Sequence, residues 1–180
     1  GIRDYKVTGV QTCALPICAM LAWALRACGG QDTRDLLELY CGIGNFTVAL
    51  ARGFRRVLAT EIGAGAIAAA QHNLAVNGIG NTFVARLSSA EAASAMARDR
   101  PFRRLRGFDL DDFQPQVLLV DPPRAGMDTD TRALAARFER IVYVSCNPET
   151  LCRDIAALGD GYRVEHAALF DQFPYTPHME

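Results

Sequence analysis

The sequence lacks the features that mark several common protein classes. Its six cysteines show no CxxC or other zinc-binding spacing, and its three histidines are scattered along the chain. The longest apolar run, residues 13–25, is too short to cross a bilayer and contains Pro16. We therefore expect neither a metal site nor a membrane association. Reduced thiols in a chain with a sizeable core predict a cytoplasmic location.

An excess of either charge is also missing. The 180 residues carry a net charge of −1, so bulk charge does not indicate a nucleic-acid partner. One local exception is "RDRPFRRLRG", residues 98–107, which holds five arginines. These side chains suit contacts with RNA phosphates, and they suit an ordinary solvated loop equally well.

The first eighteen residues show no helical or strand periodicity. Within them, "VTGVQTCALPI" (residues 7–17) resembles the translation of a common sequencing adaptor. We therefore interpret residues 1–18 as a non-native, adaptor-like or disordered leader. Residues 19–180 are expected to form one catalytic domain, beginning inside a helix near Ala19.

From there the pattern alternates between short apolar runs and helical segments. Strands are predicted over 35–40, 55–62, 81–87, 116–124, 140–146 and 162–170, and helices through Leu50 and over 64–78, 89–98, 130–138 and 148–158. This alternation predicts an α/β fold, in which helices cover both faces of a mostly parallel sheet.

The first strand ends in a glycine-bearing turn, Gly42-Ile43-Gly44, directly before a helix. Such glycines allow the backbone to approach a ligand, although the pattern is not G-x-G-x-x-G and is also compatible with a simple tight turn. Glu61 ends the second strand, where a carboxylate can accept hydrogen bonds from a ribose. A solvated strand end is the alternative for Glu61. Together the two features favour an adenosine-bearing ligand without a diphosphate, such as S-adenosylmethionine (SAM).

Two reactive side chains are predicted at the same edge of the sheet. Asp121 ends the fourth strand in "DPPR", and Cys146 ends the fifth, just before a helix that starts at Pro148. A helix N-terminus favours the thiolate form of a cysteine. The alternatives are a loop-forming aspartate and a cysteine that only packs, which is how we interpret Cys28, Cys41 and Cys152. Methylation of uracil at carbon-5 needs a thiolate that adds to carbon-6 and a base that removes the carbon-5 proton.

Five motifs in the sequence are specific to one protein family. "LLELYCGIGNF", "ATEI", "DPPR", "SCNPETL" and "FDQFPYTPHME" resemble the tRNA (uracil-5-)-methyltransferase family over about residues 19–180. The resemblance implies a Rossmann-like class I SAM-dependent methyltransferase with sheet order 3-2-1-4-5-(7)-6. It implies Cys146 as the nucleophile and Glu180 as the general base. The positions that match SAM-binding residues of the family are Tyr40, Asn45, Glu61 and Asp121.

The resemblance also implies a substrate, which is uridine 54 in the T arm of tRNA, flipped into the site. The family has an RNA-binding region upstream of residue 19, and its final antiparallel strand follows Glu180, so we expect a catalytic domain truncated at both ends. With strand seven missing, residues 164–170 should pair poorly. Two alternatives stay open: another SAM enzyme, which methylates 23S rRNA uridine or an amino group, and a non-catalytic remnant that binds SAM or RNA.

Overall fold

The computed structural model describes residues 14–29 and 31–171, which form alternating strands and helices. The strands are β1 (Gln31–Leu39), β2 (Phe54–Glu61), β3 (Thr82–Arg86), β4 (Pro115–Val120) and β5 (Arg140–Tyr143). The helices are α1 (Ala14–Cys28), α2 (Asn45–Leu50), α3 (Ala64–Val76), α4 (Ser89–Ala97), α5 (Thr129–Ala135) and α6 (Pro148–Leu158), with short 3-10 turns at Ala51–Gly53 and Arg103–Leu105.

The five strands form one parallel sheet in the order β3-β2-β1-β4-β5. The first three strands run outward from β1 to one edge, and β4 then pairs with the other side of β1. The order 3-2-1-4-5 expected for this part of a class I methyltransferase is thus confirmed. The reversal between β1 and β4 opens a crevice at the carboxyl ends of these strands, where open α/β sheets bind ligands.

The core has two layers, one on each face of the sheet, because successive strand residues point to opposite sides. Leu36 faces α1 and α2 together with Val57, Val117 and Val142. Its neighbour Leu37 faces the opposite layer, which includes side chains of α4 and α5. This alternation places Glu38 on the same face as Leu36.

Helix α1 begins at Ala14 rather than near Ala19. Pro16 does not prevent this, because the backbone N–H groups of a first helical turn have no intrahelical partner in any case. Ile17 packs against the core layer of α1 and α2. The segment expected to be a leader therefore overlaps α1 at 14–18, while residues 1–13 lie outside the described part of the chain.

The predicted sixth strand, 162–170, is wrong. Residues 163–171 have no regular secondary structure and do not belong to the five-stranded sheet. Side-chain contacts hold the segment instead: Phe170 lies edge-on to Trp23 at 6.4 Å between ring centroids, and Arg140 approaches Glu165 at 3.9 Å. The expectation that residues 164–170 would pair poorly is confirmed, because they form no strand at all.

The arginine-rich segment 98–107 is partly neutralised by protein partners. Arg98 pairs with Asp111 at 2.5 Å, Arg104 pairs with Glu91 at 2.9 Å, and Arg100 lies 4.7 Å from the ring centroid of Phe102. Guanidinium groups engaged in this way attract phosphates less strongly than solvated ones do. These contacts favour the loop interpretation for the three arginines concerned.

Candidate active site at the carboxyl edge of the sheet

The glycine turn after β1 and the carboxylate after β2 are joined directly. Glu61 Oε2 accepts a hydrogen bond from Gly42 N at 3.1 Å, and its Oε1 accepts from Ile62 N and Gly63 N, both at 2.7 Å. Gly42 has φ 54°, a left-handed conformation that favours glycine, and a Cβ there would meet nothing within 4 Å. The turn is therefore open toward the crevice, and Glu61 fixes its position.

Tyr40 and Asn45 flank this turn. Tyr40 is a non-glycine residue with φ 60°, a conformation that costs about 1 kcal/mol, and its hydroxyl lies 3.4 Å from Thr131 Oγ1. Asn45 is the first residue of α2, and its buried Oδ1 has no hydrogen-bond partner among the described residues. A buried acceptor without a partner is costly, so a ligand that donates a hydrogen bond there would be favoured.

Glu38 is the feature of the site that sequence reasoning missed. Its side chain is buried on β1, and neither carboxylate oxygen has a hydrogen-bond partner in the described part of the chain. Burial raises its pKa to about 8; Thr47 opposes the rise, and the negative charge of Asp121 adds to it. A charged residue inside the apolar run "LLELY" was the signal that could have indicated it.

Asp121 and Cys146 follow adjacent strands. Val144 N donates to Val120 O at 2.9 Å, which extends the β4–β5 pairing to the residue before Asp121. Asp121 is half-buried and opens the loop 121–127, whereas Cys146 lies two residues beyond the last backbone contact. The structure thus places the predicted carboxylate and thiol at neighbouring strand ends.

Cys146 lies immediately before α6, as the sequence predicts. Asn147 caps this helix by accepting a hydrogen bond from Glu149 N at 3.1 Å, and Pro148 occupies the first turn. Ser145 Oγ donates to Asn147 O and accepts from Asn147 N, at 3.0 and 3.1 Å, which holds the turn that carries the thiol. Cys146 itself is half-buried, so its sulfur is neither sealed in the core nor fully solvated.

The three cysteines interpreted as packing residues differ from Cys146. Cys28 and Cys41 are buried, and burial raises the pKa of Cys28 to about 12 and that of Cys41 further still. They are unreactive packing residues, as predicted. Cys152 is exposed on α6, so its interpretation as a packing residue is wrong.

Tyr40, Asn45, Glu61, Asp121 and Cys146 therefore all lie at or just after the carboxyl ends of β1, β2, β4 and β5, whereas Glu180 lies outside the described residues. Within residues 14–29 and 31–171, no group of three or more His, Cys, Asp or Glu side chains is arranged to hold a metal ion. No helix in the same part of the chain has the length and apolar character needed to cross a bilayer.

The side chains around the crevice fit SAM. The ammonium group and ribose hydroxyls of SAM are hydrogen-bond donors, and the crevice offers acceptors at Asn45 and Glu61. The open backbone at Gly42 leaves room for close approach.

Comparison with known proteins agrees with this geometry. The family described as tRNA (Uracil-5-)-methyltransferase matches residues 5–180. A tRNA/tmRNA (uracil-C(5))-methyltransferase of Pseudomonas entomophila is 58% identical over 161 residues, covering 89% of this chain and 44% of that protein. One with the same name from Mannheimia succiniciproducens is 53% identical over 178 residues, covering 99% of this chain and 49% of that protein.

Among solved structures, the tRNA (uracil-54, C5)-methyltransferase of Pyrococcus abyssi in complex with S-adenosyl-L-homocysteine is similar, with a TM-score of 0.71 and 28% identity. The match covers 94% of this chain and 38% of that one. The chain thus spans less than half the length of these relatives. This likeness confirms the expected methyltransferase fold, and the ligand of that neighbour is the demethylated form of SAM. On its sequence match and its fold, the chain belongs to the tRNA (uracil-5-)-methyltransferase family.

Proposed function

We propose that this domain transfers a methyl group from SAM to carbon-5 of a uridine in tRNA, and that the uridine is residue 54 of the T arm. The observation that carries the proposal is the placement of Cys146. Its half-buried thiol lies between the end of β5 and the start of α6, beside the strand end that carries Asp121. A methyltransferase acting on an amino group needs no thiol at this point.

The chemistry assigned to the chain's own residues begins at Cys146. Its thiolate adds to carbon-6 of the uracil ring, and the electron pair displaced from the 5,6 double bond makes carbon-5 nucleophilic. SAM supplies the electrophilic methyl group when bound. We assign Glu180 as the base that takes the carbon-5 proton, after which the carbon-6–sulfur bond breaks and Cys146 leaves as a thiolate.

The choice of uridine 54 rests on relatives. The Pyrococcus abyssi neighbour is named for uracil-54, and the two bacterial relatives are named for tRNA and tmRNA. A base within a folded RNA arm must leave its stack to reach a crevice of this kind. The tRNA T arm is therefore the proposed partner.

The test uses a chain extended at both ends to the length of its relatives. It is incubated with SAM and a tRNA transcript, and the modified nucleoside is located by mass spectrometry of RNA fragments. We expect methylation at uridine 54 only, and none in a transcript with cytidine at that position. Cys146→Ala should abolish both methyl transfer and the covalent RNA adduct, whereas replacing the exposed Cys152 with alanine should change neither. Methylation that survives Cys146→Ala would refute the mechanism.

A further inference from the structure

A buried cluster of hydrogen bonds, here called the Asp154 clamp, joins the Cys146 segment to the loop that follows Asp121. Asp154 lies on α6 with no exposed surface (0%). Its two carboxylate oxygens accept hydrogen bonds from four parts of the chain. The donors are Met127 N at 2.7 Å, Tyr143 Oη at 2.8 Å, Arg132 Nη1 at 3.2 Å, Arg153 Nε at 3.1 Å and Arg153 Nη2 at 2.8 Å.

Two of the donors, Tyr143 and Met127, come from the segments that lead to Cys146 and follow Asp121. Tyr143 is the last residue of β5, three positions before Cys146. Met127 ends the loop that begins at Asp121. Helix α6 starts two positions after Cys146, so the clamp holds the nucleophile's segment on both sides.

The loop 121–127 is also held through its backbone carbonyl groups. Arg124 O accepts from Asn147 Nδ2 at 3.1 Å and from Thr150 Oγ1 at 3.2 Å, and Ala125 O accepts from Arg153 Nη2 at 2.8 Å. All three donors lie on α6 or cap it. The Cys146 turn and the Asp121 loop are therefore joined by several hydrogen bonds in addition to the pairing of their strands.

The fit between loop and helix is close at Gly126. This residue has φ 77°, and a Cβ there would lie 2.5 Å from both Asp154 Oδ2 and Arg153 Nη2. Only glycine satisfies the conformation and the contact together. A side chain at this position would displace Asp154 or Arg153, so the close approach of loop and helix depends on glycine, and the hydrogen bond from Met127 N to Asp154 holds the loop there.

We propose that Asp154 is a positioning residue, which sets the distance between the Cys146 thiol and the SAM-facing end of β4 by tying β5, α6 and the loop 121–127 to one carboxylate. This rests on the proposed function, because the distance matters only if Cys146 attacks a uracil ring beside the methyl donor. Reacting atoms must be held within about 0.5 Å of the productive geometry. A displacement of about 1 Å can lower a rate by about a hundredfold.

If Asp154 only anchored α6 to the fold, its variants would behave differently. An anchor would need only the bonds that hold the helix to the fold, and a variant that still folded would keep its rate. The clamp includes Tyr143, whose hydroxyl contributes one bond from the strand that leads to Cys146. Tyr143→Phe removes that bond and keeps the ring.

The test uses the protein extended to the length of its relatives and compares Tyr143→Phe and Asp154→Asn with the parent. The matched control is Tyr162→Phe, since Tyr162 Oη also donates part-buried hydrogen bonds, to Phe138 O at 2.7 Å and to Ala135 O at 3.2 Å, but none to Asp154. The first readout is the rate of covalent adduct formation with RNA that carries 5-fluorouridine, whose carbon-5 has no removable proton. The second is the single-turnover rate of methylation at saturating SAM, and the third is the Kd for SAM by calorimetry.

We expect Tyr143→Phe to slow adduct formation about tenfold and Asp154→Asn about a hundredfold, with the Kd for SAM changed less than about threefold. Tyr162→Phe should lose thermal stability comparable to that of Tyr143→Phe and keep the parent rates. If Tyr143→Phe forms the adduct at the parent rate while the parent is active, Asp154 is an anchor and the proposal is overturned. A parent that forms no adduct at all would overturn the proposed function, and this inference with it.

Discussion

Replacing Glu38 with glutamine tests the origin of its shifted pKa. The carboxyl group has a pKa of about 8 in the folded chain, against an ordinary value of 4.5, because burial disfavours its charged form and Thr47 offsets this rise only in part. At a pH between these two pKa values, residue 38 has lost its proton in the unfolded chain and keeps it in the folded chain. Stability must therefore fall as the pH rises through this window, since the folded state binds more protons.

The size of the effect follows from the two pKa values. Each unit of pH over which only the unfolded state is ionised costs about 1.4 kcal/mol. Between pH 5 and pH 7 the accumulated penalty is about 2–3 kcal/mol. Glutamine has nearly the same shape and does not titrate, so Glu38→Gln should escape the penalty. All other groups titrate alike in the two proteins, and their contributions cancel in the difference.

The measurement is urea unfolding of both proteins at pH 5, 6 and 7. We expect the free energy of unfolding of Glu38→Gln, relative to the parent, to rise by about 2–3 kcal/mol across this range and to level off above about pH 8. The matched control is the exposed Glu139→Gln, which removes a carboxylate without touching the buried site. A difference between Glu38→Gln and the parent that stays constant from pH 5 to pH 7 would refute the reasoning.

Three further changes give separable outcomes. Glu61→Ala should weaken SAM binding by about 2–4 kcal/mol in calorimetry, because it removes charge-assisted hydrogen bonds; an unchanged affinity would remove Glu61 from the site. In the extended chain, Glu180→Gln should accumulate a covalent, already methylated RNA adduct that survives a denaturing gel, and release of methylated RNA at the parent rate would show that another group is the base. Gly126→Ala should lower the free energy of unfolding in urea by about 2–4 kcal/mol, because of the left-handed backbone and the contacts with Asp154. The control Gly161→Ala, where a Cβ meets nothing within 4 Å, should lower it by under about 1 kcal/mol. Equal losses in the two variants would contradict the close fit.

Most strands and helices were predictable from the apolar periodicity of the sequence and from the residues that mark their ends. The bounds of α6, Pro148–Leu158, agree with the sequence prediction, because Asn147 and Pro148 mark its start and Gly159 follows its end. The predicted strand at 162–170 failed for a different reason. Its apolar pattern is real, but a strand also needs a partner, and a pattern within one segment carries no information about whether its neighbour is present.

In the site, too, a local sequence pattern does not show which distant segments meet. Asp121 and Cys146 were predictable because strand ends of a parallel sheet share one edge. The Asp154 clamp was not, since its donors Met127, Arg132 and Tyr143 come from separate elements and meet only after the chain has folded. Glu38 was not predictable in the same way, because only the folded structure shows that its side chain is buried.

The parallel order of the sheet also governs how the chain can fold. Residues of β1 pair with β2 across about 20 positions but with β4 across about 80, as in Asp35 with Arg56 and with Pro115. The unit β1 to β3 can therefore form first, and β1 then has an open hydrogen-bonding edge until β4 arrives. Loop closure over so many residues is slow, and unpaired strand edges attract other chains. In pulse-labelled hydrogen exchange, the amides of β1 and β2 should accordingly become protected before those of β4. At high concentration, a partly folded chain should associate through the edge of β1 that β4 later covers.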